Sequence, residues 1–574
     1  MGKIVLLPPE IYNRIAAGEV IENPASVVKE LIENSLDANA DELKIIIKNA
    51  GKKEITVSDN GEGMTEEDVT LAIKKHSTSK IKTVEDLNNI KTFGFRGEAL
   101  SSIVSVAIVE IITKTSNMDA GVKLLVEDAG RKIKKTYIPT KTGTTVKVLH
   151  LFYNTPARLK FLKSNNTELK YIKDTITAIA LSNPDIKFEL IVDAQKDLTF
   201  YKQETVLDRI CEIYGAELKE TLIYFESGDD FLKVKGYISK PAINRPTRNV
   251  QYLFLNKRPI IAKYFNFWIS EAFKELVPKG RYPYAFVYID ASSEFVDVNV
   301  HPAKKEVRFL NEFFIGNKII NTIKSVLSPQ TAIPEIPHIE PKKSENKKEI
   351  KESIQNAIYK FVQTQEKKKQ PVVTPVEPVS FKEFKTENFF TLFNTYIFYE
   401  KNENEVLVID QHAAHERVIY ERLKYEIKKK ENLTQNLLIP LNVSLSPSEM
   451  EVLKSTEDIL KEIGFVFEEF GQNTIAIYGV PSYIRHTDDK SLFLDIISLL
   501  MDNKKVDTIT LKEEILKTIA CKSAVKAGDY LNKEQKEVLI KQLLDVESKY
   551  TCPHGRPAII KLSKKEIEKW FSRT

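Results

Sequence analysis

Between residues 329 and 384 the chain cannot build a core, and that break decides its architecture. Pro329, Pro334, Pro337, Pro341, Pro371, Pro375 and Pro378 interrupt a Lys/Glu-rich stretch that holds no glycine. Such a segment buries too little apolar surface to offset the entropy of ordering it, so we expect a disordered linker with one transient helix near 350–363. Its random-coil span is roughly 40 Å. Ordinary globular patterning lies on either side, and 574 residues exceed what one core organises. The expected class is α+β multidomain, divided as 1–205, 206–328, the linker 329–384, and 385–574.

Composition narrows the function classes. Hydrophobic residues make up 42% and charged residues 29%, as in soluble globular proteins. No run of about 18 apolar residues exists, so no membrane-spanning helix is expected. The start, MGKIVLLPPEIYNRI, fits neither a signal peptide nor a myristoylation signal. Cys211, Cys521 and Cys552 make no disulfide framework, which suits a cytoplasmic location. A net charge of +5 is weak evidence for a polyanionic partner.

In the N-terminal half, residues 15–40 read as a helix start. Asn23 is a suitable cap and Pro24 suits the first turn. Val27, Val28, Leu31, Ile32, Ser35 and Leu36 recur at helical spacing as a buried stripe. Glu30 and Asn34 are four apart and share a face, where a carboxylate and an amide can serve a water and a metal. LKIII (43–47) and EITVS (54–58) read as a hairpin, followed by DNGEGM (59–64) with Asp59, Gly61 and Gly63. Gly94 and Gly97 flank Arg96 just before a helix from Glu98, a ready anion cradle. Gly143-Thr144-Thr145 leads a turn into a strand. In 206–328, strand, helix and strand in that order predict a small α+β domain with a parallel strand pair. No G-x-x-x-x-G-K-[ST] loop is present, so any nucleotide must be held by this other arrangement.

In the C-terminal half, DQHAAHERVIYE (410–421) starts at a strand exit and runs into a helix. Asp410 lies at the exit, and His412 and Glu416 fall on one helical face. Cys552 and His554 add a thiol and an imidazole far downstream. Carboxylate, imidazole and thiolate together suit Zn²⁺ or Mn²⁺. HAAHE superficially fits zincin spacing, but H-E-x-x-H and H-x-x-E-H are both absent, so a metalloprotease is excluded. Arg158, Lys160 and Lys163, with Lys257 and Arg258, are candidate DNA-backbone contacts, and a solvated basic surface explains them equally well.

The order of these motifs resembles the GHKL ATPases and, within them, the MutL family of mismatch-repair proteins. IAAGEVIENPASVVKELIENSLDA (15–38), GFRGEALSSI (94–103), NTPARLKFL (154–162) and VNVHPAKKEVRF (298–309) carry the resemblance. It implies a GHKL-type α/β sandwich, a ribosomal-S5-like second domain and a C-terminal dimerisation domain. It also implies Glu30 as general base, Asn34 as the ligand of ATP-bound Mg²⁺, and Asp59 as acceptor for the adenine amino group. Gly61, Gly63, Thr78, Gly94, Arg96, Gly97 and Thr144 would contact nucleotide. Residues 76–102 would form a lid, and Lys304 would reach the γ-phosphate. The DQHAAHERVIYE stretch, ACKSAVKAG (520–528), CPHGRP (552–557) and FSR (571–573) resemble the subgroup that nicks DNA itself, with Asp410, His412, Glu416, Cys552 and His554 holding Zn²⁺ or Mn²⁺. QNLLIP (435–440) resembles the peptide that docks on the sliding clamp, through Gln435, Leu437, Leu438 and Pro440; an apolar strand entering a turn would read the same way. The implied partners are DNA, the mismatch sensor MutS, the clamp and a second copy of the chain. The rival reading is an ATP-switched matchmaker whose metal is only structural.

Overall fold

The computed structural model describes residues 21–74, 77–78, 98–229, 231–274, 276–278, 280–292, 296–297, 308–309, 311–327, 389–429, 434–482, 489–502, 508–526, 528–546 and 548–570. It divides into two compact units, one from 1–327 with 419–524 and the other from 328–418 with 525–574. The linker expected at 329–384 lies outside the described residues, as do Gly94, Arg96, Gly97, Lys304 and FSR.

The first unit opens with α1 (Pro24–Asp37), where the Asn23 side chain accepts the Ser26 N–H at 2.9 Å. β1 (Glu42–Lys48) and β2 (Glu54–Asp59) form the expected antiparallel hairpin. There follow α2 (Glu66–Ala72), α3 (Ala99–Val106), β3 (Ile108–Lys114), β4 (Gly121–Glu127), β5 (Lys132–Ile138), β6 (Gly143–Leu149), α4 (Pro156–Phe161), α5 (Asn165–Ser182), β7 (Lys187–Val192) and β8 (Gln195–Phe200). The eight strands make one sheet in the order β5-β4-β3-β6-β2-β1-β7-β8, antiparallel except for β1 against β7. α1 lies on β2, and α5 packs on α1. That layering holds Glu30 and Asn34 over the centre of the sheet. β5 was not expected, because KIKKTYI keeps almost every side chain in solvent at the sheet edge.

α6 (Val206–Tyr214) leads to β9 (Leu222–Gly228), β10 (Leu232–Ser239), β11 (Asn244–Arg245), β12 (Gln251–Leu255), β13 (Arg258–Ile260), α7 (Phe265–Ala272), β14 (Tyr282–Pro283) and β15 (Ala285–Ala291). The short pair β16 (Val296–Asp297) and β17 (Arg308–Phe309) precedes α8 (Glu312–Leu327). The sheet β13-β12-β15-β10-β9 contains the expected parallel pair, β12 with β15. β12 turns into β13 through Asn256 and Lys257, at φ 46° and 65°, the left-handed pair that a two-residue hairpin turn needs. Tyr288 of β15 donates to the Leu181 carbonyl at 2.9 Å, tying this sheet to the end of α5.

The second unit begins with β18 (Phe389–Leu392), β19 (Tyr396–Asn402) and β20 (Glu405–Asp410), and the division falls within the next helix, α9 (Gln411–Lys429). The first unit then adds β21 (Thr434–Ser444), α10 (Pro447–Ile463), β22 (Val466–Glu469), β23 (Thr474–Pro481), α11 (Asp489–Asp502) and α12 (Thr508–Ser523). Ser446 and Glu449 form a reciprocal capping box at the start of α10. Sheet β21-β23-β22 and these helices enclose their own apolar core around Leu453, Phe465, Phe493 and Ile515.

In the second unit, α13 (Lys533–Asp545), β24 (Ile559–Ser563) and α14 (Lys564–Trp570) complete the fold. Its sheet has the order β18-β19-β20-β24, and Ile397, Ile409, Ala414, Ile540 and Leu543 form the core beneath it. No helix among the described residues is long and apolar enough to cross a membrane.

Candidate functional site

The first candidate site lies where α1, the DNGEGM loop and β6 meet. Glu30 is 9% exposed on α1, and Asn34, one turn later, is half-buried. Asp59 ends β2 and is held from three sides. Its Oδ1 accepts the Gly61 N–H and the Thr144 N–H, each at 3.0 Å, and its Oδ2 accepts the Ser35 hydroxyl at 2.8 Å. Burial pushes the Asp59 carboxyl above its ordinary value of 3.8, against the pull of those three donors. A carboxylate fixed this way can present an acceptor to a ligand group with little freedom of its own.

The glycines are explained by the chain as much as by a ligand. A Cβ on Gly61 would stand 2.5 Å from the Ala38 carbonyl oxygen, and one on Gly143, at φ 123°, would stand 2.2 Å from the Asp59 carbonyl oxygen. Backbone therefore crosses backbone around Asp59, which only glycine permits. Gly63, at φ 74°, lies equally close to Lys114.

Two residues of this site were not singled out from the sequence. Ser35 stood as one member of the buried stripe, yet its hydroxyl supports Asp59. Fully buried Thr113 of β3 accepts the Met64 N–H at 2.8 Å and meets the Thr144 hydroxyl at 3.0 Å, so it pins the loop to the sheet. A polar residue inside an otherwise apolar alternation is the signal each offered. Thr78 is exposed.

Asp59→Asn tests the arrangement. The amide oxygen keeps both backbone donors, and its NH₂ can donate to the Ser35 hydroxyl, which is then free to donate to the Leu31 carbonyl 3.2 Å away. The variant is expected to fold and, if Asp59 accepts from adenine as the resemblance implies, to lose at least about tenfold in ATP affinity, since one good hydrogen bond to a charged group is worth roughly 1.5–3 kcal/mol. Because the folded-state pKa is raised, Asp59 stabilises the fold below its unfolded value of 3.8 and loses that contribution as pH rises through the folded value. Denaturant titrations should therefore show the variant gaining on the parent as pH rises above about 4. A stability difference that is flat from pH 3 to 7 would contradict the buried carboxyl.

The second candidate site lies in the second unit, at the start of α9. Asp410 ends β20, and its Oδ1 accepts the Ala413 N–H at 3.0 Å. Glu416 is 2% exposed. One of its oxygens is 3.2 Å from His412 Nε2 and the other 3.6 Å from His554 Nδ1. Glu416, Cys552 and His554 bring one ligand atom each within 4.8 Å of one another. Asp410 belongs to no such group among the described residues.

The histidine tautomers matter here. His412 Nδ1 is 2.7 Å from the Val525 carbonyl and donates to it, so Nε2 of the neutral ring turns a lone pair toward the Glu416 carboxylate. Two acceptors at 3.2 Å need a proton or a cation between them. His415 differs, because its Nδ1 accepts the Val525 N–H at 3.1 Å and burial lowers its pKa. Both faces of the Val525 residue are thus gripped by α9, and His415 acts as a positioning group. Burial also pushes the Cys552 thiol up, so that sulfur is protonated until a cation displaces the proton. The donor set of carboxylate, imidazoles and thiol fits a borderline divalent transition metal.

The remaining candidates are dispersed. Lys160 and Lys163 are exposed around α4. Arg158 is half-buried, its guanidinium 6.0 Å from the Phe152 ring centroid, so part of its role is packing. Lys257 sits exposed at the hairpin tip, and Arg258 opens β13 half-buried. Gln435, Leu437, Leu438 and Pro440 lie in β21, where pairing with β23 breaks between Asn436 and Leu441. Leu438 is fully exposed and Ile439 nearly so.

An eight-stranded sheet with an acid/amide helix and a glycine-flanked aspartate beneath it defines a nucleotide-binding module of the GHKL class. Residues 21–148 match the family described as histidine kinase-, DNA gyrase B-, and HSP90-like ATPase. Residues 210–328 match the DNA mismatch repair protein C-terminal domain, and residues 389–531 match the MutL C-terminal dimerisation domain. The DNA mismatch repair protein MutL of Caldanaerobacter subterraneus is 38% identical, with all of both chains covered. The MutL proteins of Dictyoglomus turgidum, at 39%, and Clostridium botulinum, at 36%, are likewise covered from end to end. The chain belongs to the MutL family of DNA mismatch repair proteins.

Proposed function

We propose that this MutL-family chain is an ATP-driven mismatch-repair endonuclease that works as a homodimer. Its GHKL module binds and hydrolyses ATP, with Glu30 orienting the attacking water, Asn34 holding Mg²⁺, and Asp59 accepting from the adenine amino group. Lys304 and the 76–102 segment, with Thr78, Gly94, Arg96 and Gly97, close on the phosphates. Phosphoryl transfer needs positioning and charge neutralisation more than covalent chemistry, which suits a site built from one carboxylate, one amide and glycine-lined backbone.

One observation carries the nuclease reading. Glu416 is buried yet stands between His412 and His554, with Cys552 beside it, an arrangement that pure packing would not favour. A bound Zn²⁺ or Mn²⁺ there would polarise a phosphodiester oxygen and lower the pKa of a water. Asp410, His412, Glu416, Cys552 and His554 would hold it, with the Val525 carbonyl fixing the His412 ring. Lys160, Lys163, Lys257 and the two arginines Arg158 and Arg258 would meet DNA phosphates. The protruding Leu438 and its neighbours would dock on the sliding clamp, and MutS would recruit the dimer, in the cytoplasm at the nucleoid.

Supercoiled plasmid incubated with the full chain, Mn²⁺ and ATP is expected to be nicked, and EDTA is expected to stop it. Intact plasmid under all conditions would leave the matchmaker reading standing.

A further inference from the structure

The GHKL sheet and the 419–524 part of the first unit have separate apolar cores, and polar and charged groups bridge them. α10 lies against α5. Lys173 of α5 is 2% exposed, and its ammonium bridges Asp197 and Glu451, each at 2.8 Å. Buried Arg245 donates to the Ser444 carbonyl at 2.8 Å, and Arg281 donates to Ser491 at 2.7 Å and Asp495 at 3.0 Å. Asn473 and Gln472 donate to the carbonyls of Ile213 and Thr199 at 3.2 and 2.8 Å.

We propose that the outer face of α5, with Arg245 and Arg281, is a docking surface for the 419–524 subdomain of the same chain, clasped by the Lys173–Asp197–Glu451 triad. Each side has its own core, so the subdomain can leave without unfolding. The groups that join them regain water on separation, which is the character of a releasable interface rather than an obligate one. Lys173 keeps Asp197 when Glu451 departs, so undocking does not leave the Lys173 charge without a counter-ion. The clasp also bears on the nucleotide module, since α5 packs directly on α1.

The test is a charge-reversal cycle in the full-length chain at low salt. It is read by small-angle scattering and by hydrogen exchange over residues 165–182. Glu451 faces solvent once undocked, so Glu451→Lys spares the subdomain's own fold. It is expected to enlarge the radius of gyration by about a tenth and to speed exchange on α5 about tenfold. Lys173→Glu added to the same chain should reverse both changes, because Lys at 451 then bridges two carboxylates. If Lys173→Glu compromises folding, Arg281→Glu serves instead: it loses the bonds to Ser491 and Asp495 and should open the chain as Glu451→Lys does. Scattering and exchange indifferent to both Glu451→Lys and Arg281→Glu would overturn the proposal. A mixture of the two single variants should stay open; compaction in that mixture would place the contact between chains and overturn docking within one.

Discussion

Glu30→Ala is expected to lower steady-state ATP turnover by at least about 10²-fold while ATP binding persists, the loss typical of removing a positioned general base. Alanine is the best helix former, so α1 should survive the change with its Asn23 cap in place. Asn34, Asp59, Gly61 and Thr144 are untouched, and with them the groups proposed to hold metal, base and phosphates. The measurement is turnover beside an ATP titration on the same preparation. Unchanged turnover would remove Glu30 from the mechanism, and lost binding would make it a structural or binding residue instead.

Asp410→Asn is expected to reduce plasmid nicking by at least about 10²-fold, since changes even to groups behind metal ligands commonly cost about 10–100-fold. ATP turnover by the same protein should be normal. Asn is as good a helix cap as Asp, so the bond from the Ala413 N–H can persist and α9 should keep its start. What disappears is one negative charge at the exit of β20, two residues before His412. Glu416→Gln is the companion, and it should also lower Mn²⁺ affinity in equilibrium dialysis. Parental nicking by Asp410→Asn would make the metal site structural and favour the matchmaker reading.

Much of this molecule was legible because local physics dominates it. Asn23 and Pro24 mark a helix start that needs no tertiary help, and the 43–58 hairpin follows from alternation around a turn. Asp410 at a strand exit and the His412–Glu416 spacing follow from helix periodicity alone. Less was visible where neighbours supply the stabilisation. β5 is a lysine-rich edge strand ordered by pairing with β4, so it carries no apolar alternation. β21 spans eleven residues and holds a register break, so its QNLLIP part read equally as a docking peptide and as an apolar strand. Ser35 and Thr113 act through hydroxyl hydrogen bonds, which leave no periodic trace. The meeting of α5 with α10 depends on charges far apart in sequence, and charge pairing has no signature at such range.

The Lys173–Glu451 pair spans 278 residues, and that separation has a cost in time. At about 5–20 residues per second of synthesis, Lys173 leaves the ribosome roughly 15 to 55 seconds before its partner exists. The nascent GHKL module must therefore stay soluble with that face uncovered. A hydrophobic seam would invite aggregation during the wait, whereas a lysine already paired with Asp197 and a set of hydratable carbonyls tolerates water. The polar junction thus lets a long chain finish its first part before its last part is made.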